Sequence, residues 1–298
     1  MYIDALCTPE YIHGIEWDLF KIIFLRNYDL TKFSIYQKYH FAWDDIADGL
    51  KSWRIWLLLA WHEVKLRYRR STLGPFWITI SMAITIYTMG ILYGHLFKMD
   101  LAVYYPFLAT GILGWNLISL IVNDATMTFV NADQFIKQMK QPYSVFMFQS
   151  VTRNFIIFFH NILVLVPLIL FFHLKINGNT LFVFVSLLLL WINAVCYSTI
   201  LALLGTRFRD IPILVASLIQ VVFFLTPIMW SPSILPLRYH YIIDLNPFAQ
   251  FMELFRNPLL GSMPSNYALI TTLGLTILGV FSAFIIFSRY RARIAYWL

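Results

Sequence analysis

Four ionisable side chains, His95, Asp124, Arg153 and His160, stand within otherwise apolar stretches of this 298-residue sequence. A charge left unpaired in hydrocarbon is costly, so each is a candidate for proton or ion chemistry. A proton-driven transporter draws on a chain of acids near mid-membrane, and the sequence offers none. Asp124 and Arg153 fall near matching ends of neighbouring apolar runs, where pairing with each other or a place among lipid headgroups accounts for them. His95 and His160 read as hydrogen-bonded packing residues. No glycine is followed by lysine, which excludes the phosphate loop G-x-x-x-x-G-K-[ST]; H-E-x-x-H, G-x-S-x-G and a cysteine pair at metal spacing are absent too. Asp100, Asp244 and Glu253 are scattered, whereas a membrane-embedded glycosyl- or acyltransferase would cluster such groups at one face. The energy for any work must come from outside the chain.

The elements that carry these residues follow from composition and periodicity. A chain that is 60% hydrophobic and 12% charged, with mean hydropathy +0.70, is a polytopic membrane protein. Its +7 charge sits beside apolar runs, where anionic lipid and the positive-inside rule explain it better than nucleic acid. The organising stretch is 53–97. Trp53, Trp56, Leu57, Ala60, Trp61 and Val64 recur at helical spacing, with Arg54, His62, Lys65 and Arg69 on the other flank, which predicts a helix lying in a membrane surface. Its four closing cations, Lys65, Arg67, Arg69 and Arg70, precede a run of about 33 Å, enough to cross a hydrocarbon core of about 30 Å. Residues 1–50 read as a cytosolic segment without a cleavable signal, with Asp44, Asp45, Asp48 and Gly49 as an acidic helix entry.

The expected architecture is an all-α membrane protein. A cytosolic segment (1–50) and an amphipathic interface helix (51–73) lead into a transmembrane domain (74–298), with six spans at about 76–97, 104–123, 145–172, 181–204, 211–230 and 267–287. Residues 131–142 read as a short amphipathic helix stopped by Pro142. Residues 227–264 hold half of the prolines and read as two short helices dipping into the outer leaflet, with Asn246 as N-cap, Pro247 at the first helical position and Asn257-Pro258 as the stop. Thirteen Lys and Arg on one side, in 51–70, 131–142, 205–210 and 289–293, face four on the other, Lys98, Lys175, Arg238 and Arg256. That excess places both termini in the cytoplasm. Gly90 and Gly94 form a G-x-x-x-G that lets helices approach closely.

The run from Trp61 to Trp77, W-H-E-V-K-L-R-Y-R-R-S-T-L-G-P-F-W, resembles the signature of the ABC-2 type permeases that export lipid-linked polysaccharides: O-antigen, capsule and teichoic acid. Phe135 to Phe146, Arg153-Asn154 with His160-Asn161, Arg207 to Ile211, Thr226-Pro227-Ile228 and Asn246-Pro247 are similar to that family in the same order. The resemblance covers about residue 45 to the C-terminus. It implies a homodimer in the bacterial inner membrane with two copies of a separate ABC ATPase. That ATPase holds ATP and Mg, so no cofactor is expected in this chain. The resemblance further implies that the surface helix and the short helix after the second span meet the ATPase, here through Trp56, Arg67, Asp133, Gln134, Lys137, Gln138 and Lys140. Arg67, Arg69 and Arg70 either meet the lipid pyrophosphate or anchor the chain to lipid. Asn246, Pro247, Phe248, Phe251 and Phe255 correspond to an external gate. Aromatic faces stack on sugars without fixing them, which makes Tyr87, Tyr93, Trp115, Phe223, Phe224 and Trp230 candidates for a glycan channel. The rival classes are the embedded transferase and an ABC-2 permease for small hydrophobic compounds, in which the Arg67 to Trp77 signature is not expected.

Overall fold

A computed structural model describes residues 35–298 apart from 68, 75 and 173–176. The cytosolic segment expected over 1–34 lies outside the described residues. Among the described residues the regular structure is helical throughout. In chain order, α1 is Ile35–Lys51, α2 Trp53–Arg67, α3 Phe76–Leu96, α4 Leu101–Ala125, α5 Asp133–Gln138 and α6 Tyr143–Asn161. A 3-10 turn, Ile162–Val164, joins α6 to α7, Leu165–Phe172; α8 is Phe182–Arg207, α9 Ile211–Leu225, α10 Pro247–Leu259 and α11 Asn266–Tyr290.

Among the described residues, five segments are long and apolar enough to cross a membrane: Phe76–Leu96, Leu101–Ala125, Tyr143–Phe172, Gly178–Arg207 and Asn266–Trp297. The fifth expected span, 211–230, is cut short. α9 holds 15 residues, about 22 Å of helix. Pro227 disfavours the helical conformation at the preceding residue, and Thr226 is extended at φ −93°, ψ 135°.

The surface helix also differs from expectation. The sequence predicts one helix over 51–73, whereas the chain is already helical at Ile35, turns at Ser52 and leaves α2 at Arg67. Ser52 Oγ donates to Asp48 O at 2.7 Å, a local bond that competes with the helical ladder. Asp45 therefore lies inside α1 and opens no helix of its own. Its buried carboxylate instead caps α6, accepting from the Tyr143 and Ser144 N–H groups at 3.1 and 2.9 Å and from Arg291 Nε at 2.6 Å. The first N–H groups of a helix lack partners within it, so one acid joins α1, α6 and the chain's last span.

α4 is the central element, with Leu108, Leu113, Leu117 and Ile121 all buried. Its neighbours come close where glycine permits. A Cβ at Gly90 would lie 2.1 Å from the Tyr105 ring, and one at Gly94 would lie 2.4 Å from Leu101 Cδ2. The G-x-x-x-G thus seats α3 on α4 within one chain. Gly205 of α8 is tighter still, because its Cβ would lie 1.9 Å from the backbone oxygen of Thr126.

Candidate functional site

At the end of α4 the chain turns through Thr128–Asn131 into α5. Ile136 packs inward against a cluster that includes Phe129, Met147, Ala202 and Ile294. Asp133 and Lys137 pair at 2.7 Å, one turn apart. The opposite face is open: Gln134, Lys137, Gln138 and Lys140 are exposed, and so are Phe135 (51%) and Met139 (46%). This short anchored helix therefore shows both apolar and charged groups on its open face.

Behind α5, Arg153 of α6 donates to Glu63 Oε2 of α2 at 2.5 Å and to Asp124 Oδ2 at the end of α4 at 2.8 Å. Gln149 Nε2 donates to Glu63 Oε1 at 2.6 Å. These side chains, with Asn131 and Phe135, line a recess of about 50 Å³. The expected pairing of Asp124 with Arg153 is therefore present, and a second carboxylate joins it. One guanidinium bridging two carboxylates ties α2, α4 and α6 into a unit, and removal of the cation would leave two acids facing each other. Sequence reasoning passed over Glu63, although a signal existed. Trp56, Ala60, Glu63 and Val64 share one helical face, and Ala60 and Val64 are buried, so an acid on that face needs a cation.

The other expected contact residues divide. Trp56 points inward, its Nε1 donating to Gly49 O at 3.2 Å and its ring tilted against Phe148. Arg67 is exposed at the end of α2, and Arg69 and Arg70 are exposed in the turn that follows, where Arg70 takes a left-handed φ of 70°. His160 bonds Ile156 O at 2.8 Å and stacks on Trp61, and His95 bonds Ile91 O at 2.7 Å, as packing histidines do.

At the far end of α9, α10 is built as the sequence predicts: Asn246 accepts from Phe248 N–H at 3.0 Å and Pro247 occupies the first turn. Pro258 does not stop the helix, which runs one residue further to Leu259. The gate expectation is also altered. Phe251 and Phe255 are buried in the chain's own core, Phe255 edge-on to Phe158, since the apolar face of α10 packs on α4 and α8. Arg256, counted among the four cations of the outer side, is 5% exposed. It donates to Pro227 O at 2.8 Å and Ile228 O at 3.2 Å, and its guanidinium lies 3.9 Å from the Phe107 ring centroid. Burial lowers its pKa from the ordinary guanidinium value. Asn246 Nδ2 donates to Thr226 Oγ1 at 2.9 Å, and Tyr104 OH donates to Met229 O at 2.8 Å. The broken end of α9 is thus clamped from three directions.

The six channel candidates fall into separate groups. Trp115, 8% exposed, packs between Phe223 and Phe248, and Phe223 lies edge-on to Phe224. Trp230 Nε1 donates to Phe224 O at 3.3 Å. Tyr87 packs with Tyr105, and Tyr93 stacks on Phe97. Only Phe224, 74% exposed, is broadly open. Among the described residues, these six form no continuous aromatic wall within one chain.

Five apolar segments, an exposed short helix after the second and a clamped proline-rich segment before the last form the frame onto which known families can be matched. Residues 54–260 match the family described as ABC-2 type transporter. The chain belongs to that family. An ABC-2 permease is the membrane subunit of a transporter and not a catalytic enzyme. Its matched part begins within α2 and ends just beyond α10. Two O-antigen export system permease proteins RfbA from Klebsiella pneumoniae are similar to this permease, 26% identical over 245 residues and 27% over 251 residues. Each alignment covers 78% of this chain and 90% of the relative.

Proposed function

We propose that this ABC-2 permease is the membrane half of an ATP-driven exporter of a lipid-linked polysaccharide of the O-antigen type. The observation that carries the substrate class is the similarity to the two O-antigen export permeases across most of both chains. Two copies form the pathway in the bacterial inner membrane, each with six spans, α9 and its broken continuation completing the fifth, and with both termini in the cytoplasm. Each copy docks on one ABC ATPase subunit, which binds ATP and Mg²⁺. The open face of α5 supports that docking, and the Glu63–Arg153–Asp124 network supports passage of its movement to α2 and the spans. Arg67, Arg69 and Arg70 meet the lipid pyrophosphate, and exposed Phe224 contributes to the glycan path where the two copies meet.

The experiment is deletion of the gene, followed by staining for the glycan on each side of the inner membrane. Polymer trapped on the cytoplasmic side, and restored to the outside by the intact gene, is the expected result. Unchanged surface glycan in the deletion strain would overturn the substrate assignment.

A further inference from the structure

α8 and α9 are joined by the short turn Phe208–Asp210, yet α9 leans on α4 more than on α8, so the two helices part. The space between them is a cavity of about 500 Å³ walled by residues that include Ile121, Tyr197, Leu201, Leu218, Val222 and Phe251. Its polar side chains are few, and Asn193 Oδ1 is buried there without a hydrogen-bond partner. Asn193 Nδ2 donates to Leu189 O and Thr276 Oγ1, at 2.8 and 2.6 Å, and Tyr197 OH donates to Leu275 O at 2.9 Å. A void so largely apolar offers a water too few partners, and left empty it forfeits dispersion contacts on every side. Leu218, at its rim, is 53% exposed, so the cavity opens outward from helices that read as membrane segments. A helix of about 10 Å diameter would fill this volume with about one turn, so it fits a flexible chain rather than a helix from another copy.

The charge beside it narrows the occupant. Leu201 lines the cavity, and six residues further along α8, about 9 Å, come Arg207 and then Arg209, both exposed. Arg207 lies 5.5 Å from the Trp297 ring centroid, which holds its guanidinium at the end of the bundle. Asp210, also exposed, offsets one of the two charges and leaves the turn net positive. Basic groups beside a lipid-facing cleft are suited to an anionic headgroup. We propose that the cavity holds one acyl chain of an anionic phospholipid of the surrounding bilayer, with its phosphate at Arg207 and Arg209. This site is separate from the Arg67–Arg70 cluster assigned above to the exported lipid, and it does not depend on the exported substrate.

The test is native mass spectrometry, with lipid extraction, of the full chain purified from a membrane containing phosphatidylethanolamine, phosphatidylglycerol and cardiolipin. An anionic phospholipid should stay with the wild-type protein and be lost from Leu218→Trp, which fills the cavity. It should be lost equally from the double variant Arg207→Gln/Arg209→Gln, whose exposed changes leave the core intact should the first variant fail to fold. Equal retention in wild type and the double variant would overturn the proposal. So would phosphatidylethanolamine or a polyprenyl phosphate in place of the anionic phospholipid, or disulfide formation between copies of Leu218→Cys, which would put a second copy at the rim.

Discussion

Arg153 is the side chain on which the inner junction turns, because it is the cation shared by Glu63 and Asp124. Arg153→Met leaves two carboxylates facing each other across a recess. All three groups are partly open to solvent, so the expected loss is about 1–3 kcal/mol, below that of a fully buried pair. The measurement is the thermal unfolding midpoint in detergent, with Arg153→Lys falling between variant and wild type. A midpoint unchanged in Arg153→Met would mean that the network holds nothing. Asp45 is more deeply placed, and Asp45→Ala strands two helix-start N–H groups and Arg291 together. A loss of about 3–5 kcal/mol follows, read from the same unfolding curve. These sites were unequally visible in the sequence. A cation inside an apolar run must find an acid, which gave Asp124 to Arg153. Glu63 was obscured because it stands among residues that look like a surface helix, and Arg256 because a charge among prolines looks like a loop.

At the scale of elements, what was legible tracks how the apolar runs end. Charges flanking an apolar run mark where it ends, whereas Thr226 to Trp230 stays apolar after α9 has stopped, so the expected 211–230 runs past the helix. Pro227 was the available signal. Glycine contacts between elements were invisible in one dimension, since nothing in the sequence says that Gly205 faces the Thr126 carbonyl. Gly205→Ala sets a methyl group against backbone that has no rotamer to change, so the α4–α8 contact must open. The expected outcome is loss of monodisperse protein on size-exclusion chromatography, while Gly178→Ala, where added bulk meets nothing within 4 Å, elutes as wild type. The outward face of α5 makes the opposite kind of prediction. Phe135→Asp/Met139→Asp changes exposed groups only, so the fold should survive while capture of the ATPase partner is lost, as read by affinity co-purification. Retained capture would put the docking surface elsewhere.

For the molecule as a whole, α9 leaves a gap in the bilayer crossing that the rest of the chain fills. Its 15 residues give about 22 Å of helix, against a hydrocarbon thickness of about 30 Å, and Arg256, Asn246 and Tyr104 fix its broken end so that it cannot lengthen. The stretch beyond it is covered by the protein, with Thr226 and Ile228 fully buried and the Pro227, Ile228 and Met229 carbonyls accepting from Arg256 and Tyr104. The short α9 should accordingly impose no thickness limit: reconstituted with its ATPase, the protein should export at an unchanged rate as acyl chains are lengthened modestly at constant headgroup, and a rate falling in step with chain length would show lipid in place of protein beside the break.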